Sequence, residues 1–422
     1  MLGQKNSLLG LCLLFIGIGP CRSQYRPPTA PVTEEDTVGY RFLNQDLNAI
    51  ENVEYLRPFF EKLYHQRVKG GKKLQVVHIG DSHVLGDYFT REVRRRLQRE
   101  FGNAGRGLVF PYKLAASNGP RDFMVEAAGR WQGSNCQRDL SPVTRYGISG
   151  FLVQTTTPNG ALHFRLRDST TSEVQLFTKV TVFHRKTADD FDFQILDEQT
   201  RQEAQLLIEG SQYRSYYFDR PVSQFTLSAL PAQEGQRKLE IDGVIVENEL
   251  SGLIYHTIGV NGAKFSDFAR SELFVRQLSE LSPDLVVLSF GTNEAQGKMP
   301  TEYLYQQIDL LVTQILDASP ASLILLTTPA DSYLRGKGFN PNLPIVRHAI
   351  VRYAREKGYA LWDLYAIGGG EKSAESWKKS GLMASDSVHF SKIGYAVQGK
   401  LFYQSLIQAY NGFAELREQN AK

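Results

Sequence analysis

The stretch QVVHIGDSHVLGDYFTREVRRRLQ, Gln75–Gln98, changes character halfway along. It opens as a short apolar run rich in β-branched residues, the pattern of a buried strand. It closes as a charged segment with apolar residues at helical spacing. Between the two stands a tight polar turn, Gly80-Asp81-Ser82-His83. A hydroxyl at the start of a helix suits an N-cap, and it equally suits a nucleophile presented at a strand end. The rest of the chain has to decide between them.

Working outward, the same strand-then-helix pattern recurs. Apolar strand candidates are Leu74–Ile79, Gly252–Ile258, Asp284–Phe290, Ser322–Thr328 and Tyr359–Leu364, and helix candidates follow at about 84–101, 263–281, 301–318, 342–357 and 391–410. A further helix is expected over 53–68. Alternating strands and helices imply an α/β fold with a parallel sheet covered on both faces. Five strands suit a flavodoxin-like doubly wound sheet.

Roughly 150 residues after the first helix read differently. The segments ALHFRLRD, VQLFTKVTVFHR, FDFQILDE, RSYYFDR, SQFTLSAL and KLEIDGVIVEN are short, alternating and aromatic, with polar turns between them. They predict an antiparallel β-sandwich over 122–250, inserted into the α/β domain. Residues 101–122 form the outgoing connection, so the α/β domain is expected in two parts, 24–121 and 251–422.

Lys5 precedes an uncharged stretch whose apolar core, Leu8 to Ile18, is too short to span a bilayer. This is the shape of a signal peptide over 1–23, with Cys21 and Ser23 as the small residues before the cut. Export to a periplasm or the medium follows. The rival reading, a lipoprotein acylated on Cys21, is opposed by Pro20 just before the cysteine. Residues 24–50 begin rich in proline, threonine and acids and read as a loose leader. Cleavage leaves Cys136 as the one cysteine, so the cores and not disulfides must hold the exported fold. With 48 basic against 45 acidic residues the net charge of +3 is small, and no basic block suggests nucleic acid. No other stretch is long and apolar enough to cross a membrane.

In a doubly wound sheet, ligands gather at the carboxyl ends of the strands. Ser82 follows the first strand, Gly262 the second (TIGVNGA) and Asn293 the third (LSFGTNEA), while Asp386 and His389 (SDSVHF) precede the last helix. Topology alone should bring them to one rim. The chemistry available there is acyl transfer. A serine hydroxyl needs a base, and neutral imidazole is one near pH 7. A carboxylate three residues before the histidine can curl back onto Nδ1–H and fix its tautomer. The backbone N–H groups of Ser82 and Gly262 and the Asn293 amide could form an oxyanion hole, where losing one donor typically costs about 2.7–4 kcal/mol.

These residues carry a resemblance. GDSH at 80–83, the glycine of VNGA, GTN at 291–293 and DxxH at 386–389 resemble the four blocks of the SGNH (GDSL-like) hydrolases, over about 70–100 and 252–410. HIGDSH, IGVNGA, GTNEA and DSVHFSKIGY look like the peptidoglycan O-acetylesterase branch, which carries a β-rich insertion after its first block. The resemblance implies Ser82 as nucleophile, His389 as base, Asp386 as its orienter, and Gly262 with Asn293 as oxyanion donors. Glu294 departs from the aspartate common in the superfamily and is expected to hold its loop.

Other residues read more plainly. His83 is expected to pack in the loop, and His78 to be a hydrogen-bonded core histidine. His65, His163, His184, His256 and His348 show no ligand spacing, and no metal or cofactor site is readable. Asp87 either braces the serine turn or rides its helix, and Asp331 ends a loop. Phe183, Tyr213, Tyr216 and Tyr217 read as sandwich core before they read as sugar platforms.

The reading is an exported serine esterase removing acetyl from an acetylated glycan, of peptidoglycan or another envelope polymer. Its alternatives are an O-acetyltransferase with the same triad, an esterase for plant or dietary glycans or lipids, and a carbohydrate-binding protein with a vestigial triad. For export, mass spectrometry of the secreted protein should find Gln24 as the first residue. A lipid on Cys21 or an uncleaved cytoplasmic chain would contradict it.

Overall fold

The computed structural model describes residues 28–33, 38–139, 146–167 and 174–421. The expected signal peptide over 1–23, with Cys21 and the cut before Gln24, lies outside the described residues.

The parallel sheet is built from β1 (Lys73–Gly80), β2 (Gly252–Gly259), β3 (Leu285–Ser289), β4 (Leu323–Thr327) and β5 (Ala360–Trp362). Its order is β2-β1-β3-β4-β5, every pair parallel, which is the flavodoxin-like winding. Chain direction across the sheet reverses between β1 and β3, so the crevice for a ligand opens between the Ser82 turn and the Gly291–Asn293 turn.

Strand periodicity sorts the core into two layers. Val77, Ile79, Ile258, Val286, Leu288 and Leu326 face one side, with helices Phe265–Ala269, Glu272–Ser279, Thr301–Ala318 and Leu343–Lys357 over them. Val76, Tyr255, Val287, Leu325 and Trp362 face the other, under Arg57–Lys69, Tyr88–Phe101 and Lys392–Asn420. The last helix runs ten residues beyond the expected 410, because Tyr410 and Ala414 still find buried partners. The expected helix 263–281 is broken at Arg270–Ser271, where Ser271 caps the second piece by accepting the Phe274 N–H.

The intervening residues form two antiparallel sheets. One has seven strands, from Trp131–Asn135 at one edge to Gln205–Glu209 at the other; the second has four. Phe164 and Phe225 stack at 4.6 Å on the smaller sheet, and Phe225 meets Phe177 of the larger edge-on at 5.6 Å. The antiparallel part begins earlier than the expected 122, since Gly107–Val109 already pairs with Leu239–Glu247. It also does not keep a core to itself. Phe110, Phe151 and Phe177 belong to the same buried cluster as Val77 and Leu288 of the parallel sheet.

The leader is not loose where it is described. Ala30, Val38, Leu43 and Ile50 are buried, and Asn411 clasps Ala30 through both its backbone N–H and C=O.

Between the serine turn and its helix, Asp87 adopts a left-handed conformation at φ 58°. Its carboxylate is buried among Thr90 (2.5 Å), Thr257 (2.9 Å), Arg94 (2.6 and 2.9 Å) and Arg106 (3.1 Å). Asp122 completes the square, accepting from both arginines at 2.9 and 3.1 Å. Asp87 therefore braces the turn. Burial alone would raise its carboxyl, but the two guanidinium groups hold it far below the usual range. Asp87→Asn leaves two buried arginines sharing one carboxylate, and we expect a loss of about 3–5 kcal/mol in urea denaturation. Glu302→Gln, which breaks an exposed pair with Arg352, should leave the midpoint nearly unmoved.

Candidate active site

Gly80 ends β1 with no room for a side chain: a Cβ there would lie 2.5 Å from the Ser289 carbonyl oxygen. The chain then turns sharply. Asp81, not Ser82, caps the short helix Ser82–Leu85, its Oδ1 accepting the His83 N–H at 2.9 Å. That frees the Ser82 hydroxyl, which meets His389 Nε2 at 2.8 Å. His389 Nδ1 lies 2.6 Å from Asp386 Oδ2, while Asp386 Oδ1 accepts the backbone N–H groups of Val388 and His389 at 3.0 and 2.9 Å. Burial pushes the Asp386 carboxyl up, but these hydrogen bonds outweigh it and bring it to about 2. Asp386 is therefore ionised wherever imidazole could act as a base.

Gly262 follows β2 at φ 78°, a conformation that favours glycine. Among the described residues, the N–H groups of Ser82 and Gly262 donate to no protein acceptor. Asn293 is differently placed. Its Nδ2 donates to Asp81 Oδ2 and to the Ala263 carbonyl, each at 3.1 Å, so a third oxyanion bond requires it to give up one of these.

Glu294 lies beneath the site. It is 1% exposed and accepts the Gly291 N–H and the Phe265 N–H at 3.0 Å each, tying the turn after β3 to the helix after Gly262. Burial pushes its carboxyl up to about 7. Asp81 is likewise raised to about 7, by burial that exceeds its bonds to the His83 N–H and Asn293.

The remaining candidates disperse. His78 is a core residue between Tyr255 and Ser289, at 2.7 and 2.6 Å. His83 bonds the Tyr395 hydroxyl at 3.0 Å and stacks on the His389 ring at 5.1 Å. His163 and His256 bond Thr226 and Gln75, at 3.0 and 2.8 Å. His184 bonds the Arg185 carbonyl at 2.9 Å. His65 packs on Tyr64, and His348 is exposed. Asp331 is buried and caps Ala374 at 3.0 Å. The Cys136 thiol is buried and pushed up. Among the described residues no group of three or more potential metal ligands is gathered.

Phe183 and Tyr216 are buried and Tyr213 packs against the core, whereas Tyr217 is half-buried. Tyr217 sits four strands from Trp131–Asn135, about 19 Å at about 4.8 Å per strand. The sandwich meets the site elsewhere. Gln137, just past that edge strand, lays its side-chain amide on Gly262, 3.3 Å from where a Cβ would stand. Asn135, buried, accepts the Gln137 and Arg138 N–H groups at 3.2 and 3.1 Å and fixes this turn. Nothing in the sequence singled out Gln137 or Asp81: one is distant in the chain, and the other looked like part of the serine turn alone.

Residues 236–397 match the family described as GDSL-like lipase/acylhydrolase. The match takes in Gly262, Asn293, Asp386 and His389, and the insertion separates it from Ser82. A solved structure described as a peptidoglycan O-acetylesterase shares the fold, with TM-score 0.70 and 24% identity over 84% of this chain and 96% of that one. A lipase/acylhydrolase from Enterococcus faecalis overlaps 37% of this chain and 77% of its own, at 18% identity and TM-score 0.28. A family two carbohydrate esterase from Cellvibrio japonicus overlaps 68% and 98%, at 9% identity and TM-score 0.29. No curated protein matches the sequence. The fold is that of the SGNH hydrolases, with an antiparallel part inserted.

Asp81, at about 7 against 3.8 in an unfolded chain, is neutral in the fold when it would be ionised outside it. A raised carboxyl contributes its stability below the unfolded value and loses it as pH climbs through the folded one. Glu294, Asp242 and Asp331 act in the same sense, and the buried, lowered His78, His83 and His256 act against it. A difference measurement isolates Asp81. Relative to wild type, Asp81→Asn should gain stability from pH 4 to 7 at about 1 kcal/mol per pH unit. Parallel curves in denaturant titrations would rule out a neutral Asp81.

Proposed function

We propose that this chain is an exported serine esterase that removes O-acetyl groups from a carbohydrate, peptidoglycan or another bacterial-envelope glycan. The observation that carries this is the continuous chain Ser82 Oγ, His389 Nε2, Nδ1 and Asp386 Oδ2, at 2.8 and 2.6 Å, beside two unoccupied backbone N–H donors. Likeness of fold to a structure described as a peptidoglycan O-acetylesterase supports the substrate class, as does the sandwich edge lying against Gly262. The segment read as a signal peptide supports export. No helix among the described residues is long and apolar enough to cross a membrane.

In this reading Ser82 Oγ attacks the acetyl carbonyl carbon while His389 Nε2 takes its proton. Asp386 stabilises the imidazolium and holds the ring. The oxyanion forms against the Ser82 and Gly262 N–H groups, with the Asn293 amide beside them. As the ester C–O bond breaks, His389 returns the proton to the departing sugar oxygen. Water then attacks the acetyl-serine by the same route, releasing acetate and restoring the Ser82 hydroxyl.

Free acetate released from O-acetylated muropeptides is the direct measurement. Transfer of the acetyl to a sugar hydroxyl instead would make the protein a transferase. Ser82→Ala and His389→Ala should each lower kcat by about 10⁴-fold or more, and Asp386→Ala about ten- to a hundredfold less severely. Undiminished acetate release by Ser82→Ala would end the proposal. Turnover should survive a strong chelator, because no residue is assigned to a metal.

A further inference from the structure

The connection from the parallel sheet to the sandwich does more than join them. Residues 110–125 enclose a groove of about 380 Å³, within the ~300–1,000 Å³ range of small-ligand sites. Its wall reaches the site from two sides. Asn118 Oδ1 accepts from the Asn261 amide at 2.8 Å, one residue before Gly262. Arg121 stands over the ring of Tyr88, 6.0 Å from its centroid, and Lys392 stands 5.8 Å from the same ring. Tyr88 stacks on Tyr395, whose hydroxyl bonds the His83 ring that stacks on His389. The groove wall thus bonds the turn that carries Gly262, and Arg121 stands at the outer end of a run of rings that leads through Tyr395 and His83 to His389.

Its chemistry is selective. Its lining is largely apolar, with Phe110, Phe123, Met124 and Val125, of which Met124 is exposed, while the loop closes over Tyr112: a Cβ on Gly119 would lie 2.4 Å from the Tyr112 ring. Lys113 and Arg121 line the rim, both exposed, and no carboxylate lines the groove. Asp122, within the segment, and Asp87 turn inward and are spent on Arg94 and Arg106, and the exposed Glu126 just past the segment does not line the groove. Among the described residues Lys113, Arg121 and Lys392 have no anionic partner. Apolar lining, cationic rim and amide wall fit the faces of a sugar that carries an acid.

Building on the esterase reading, we propose that this groove is a subsite for a saccharide unit bearing a carboxylate, with the saccharide against the apolar lining and the carboxylate between Lys113 and Arg121. In a peptidoglycan strand that carboxylate belongs either to the lactyl ether of a muramic unit or to the stem peptide attached there.

Binding tests this apart from hydrolysis, using Ser82→Ala protein and ligands that lack an ester. Calorimetry compares GlcNAc–MurNAc disaccharide, the same disaccharide with its stem peptide, and neutral chitobiose. An acidic ligand should bind about five- to tenfold more tightly than chitobiose, with the advantage shrinking in high salt. Preference for the free disaccharide assigns the lactyl carboxylate, and preference for the peptide-bearing one assigns the stem. Lys113→Gln with Arg121→Gln should abolish the preference, and Lys113→Arg with Arg121→Lys should keep it. Equal binding of chitobiose, no binding of any ligand, or a preference that survives the glutamine variants overturns the subsite. Failure of the wild type to release acetate would instead overturn the esterase reading and leave this result standing.

Discussion

The buried square of Asp87, Arg94, Asp122 and Arg106 is the interaction on which the rest depends. Four charges removed from water are tolerable only if each finds nearly all its partners. Here those partners come from four places: the left-handed residue after the serine turn, its helix, the chain leaving for the sandwich, and Thr257 on β2. One network therefore sets the angle at which Ser82 is presented, the exit path of the insertion, and the strand that carries Gly262. Its charges are consumed internally, which leaves the nearby surface cations unneutralised.

Around the catalytic rim the acidic groups divide by environment. Asp386 is partly exposed, surrounded by donors, and ionised. Asp81 and Glu294 are sealed beneath, and burial favours their neutral forms. In its neutral form, which predominates below about pH 7, the Asp81 carboxyl adds no repulsion to a developing oxyanion, while still organising N–H groups around it. The two kinds of carboxyl do different work: one holds the imidazole, and the others hold the turns.

The sandwich and the parallel sheet share one body. Its apolar residues merge with one layer of the parallel sheet, its edge strand delivers Gln137 to Gly262, and its entry segment shapes the groove beside Tyr88. In the proposed reading, substrate contacts made there would be remote from the reacting carbonyl, where binding energy can be expressed in kcat as well as KM.

Much of this was legible in the chain itself. Periods of two and of 3.6, five apolar runs and the interruption after the first helix determined a doubly wound sheet with an antiparallel insertion. Ser82, Gly262, Asn293, Asp386 and His389 stood out because each falls at a strand end or before the last helix. What the tertiary structure decided lies in contacts between distant segments, which no local pattern encodes. Tyr216 and Tyr217 alternate along their strand, yet only sheet order places them far from the rim and puts Gln137 on it. The leader's polar composition hides four residues that join the core on the face of the sheet covered by the last helix. Asp87 could brace the serine turn or ride its helix, and Arg106 and Asp122, arriving from the other side, decide for the brace. Asn293 bears the right side chain for an oxyanion hole, but its protons are held by Asp81 and Ala263. Sequence determines which groups a chain can offer, and packing determines which of them remain free to act.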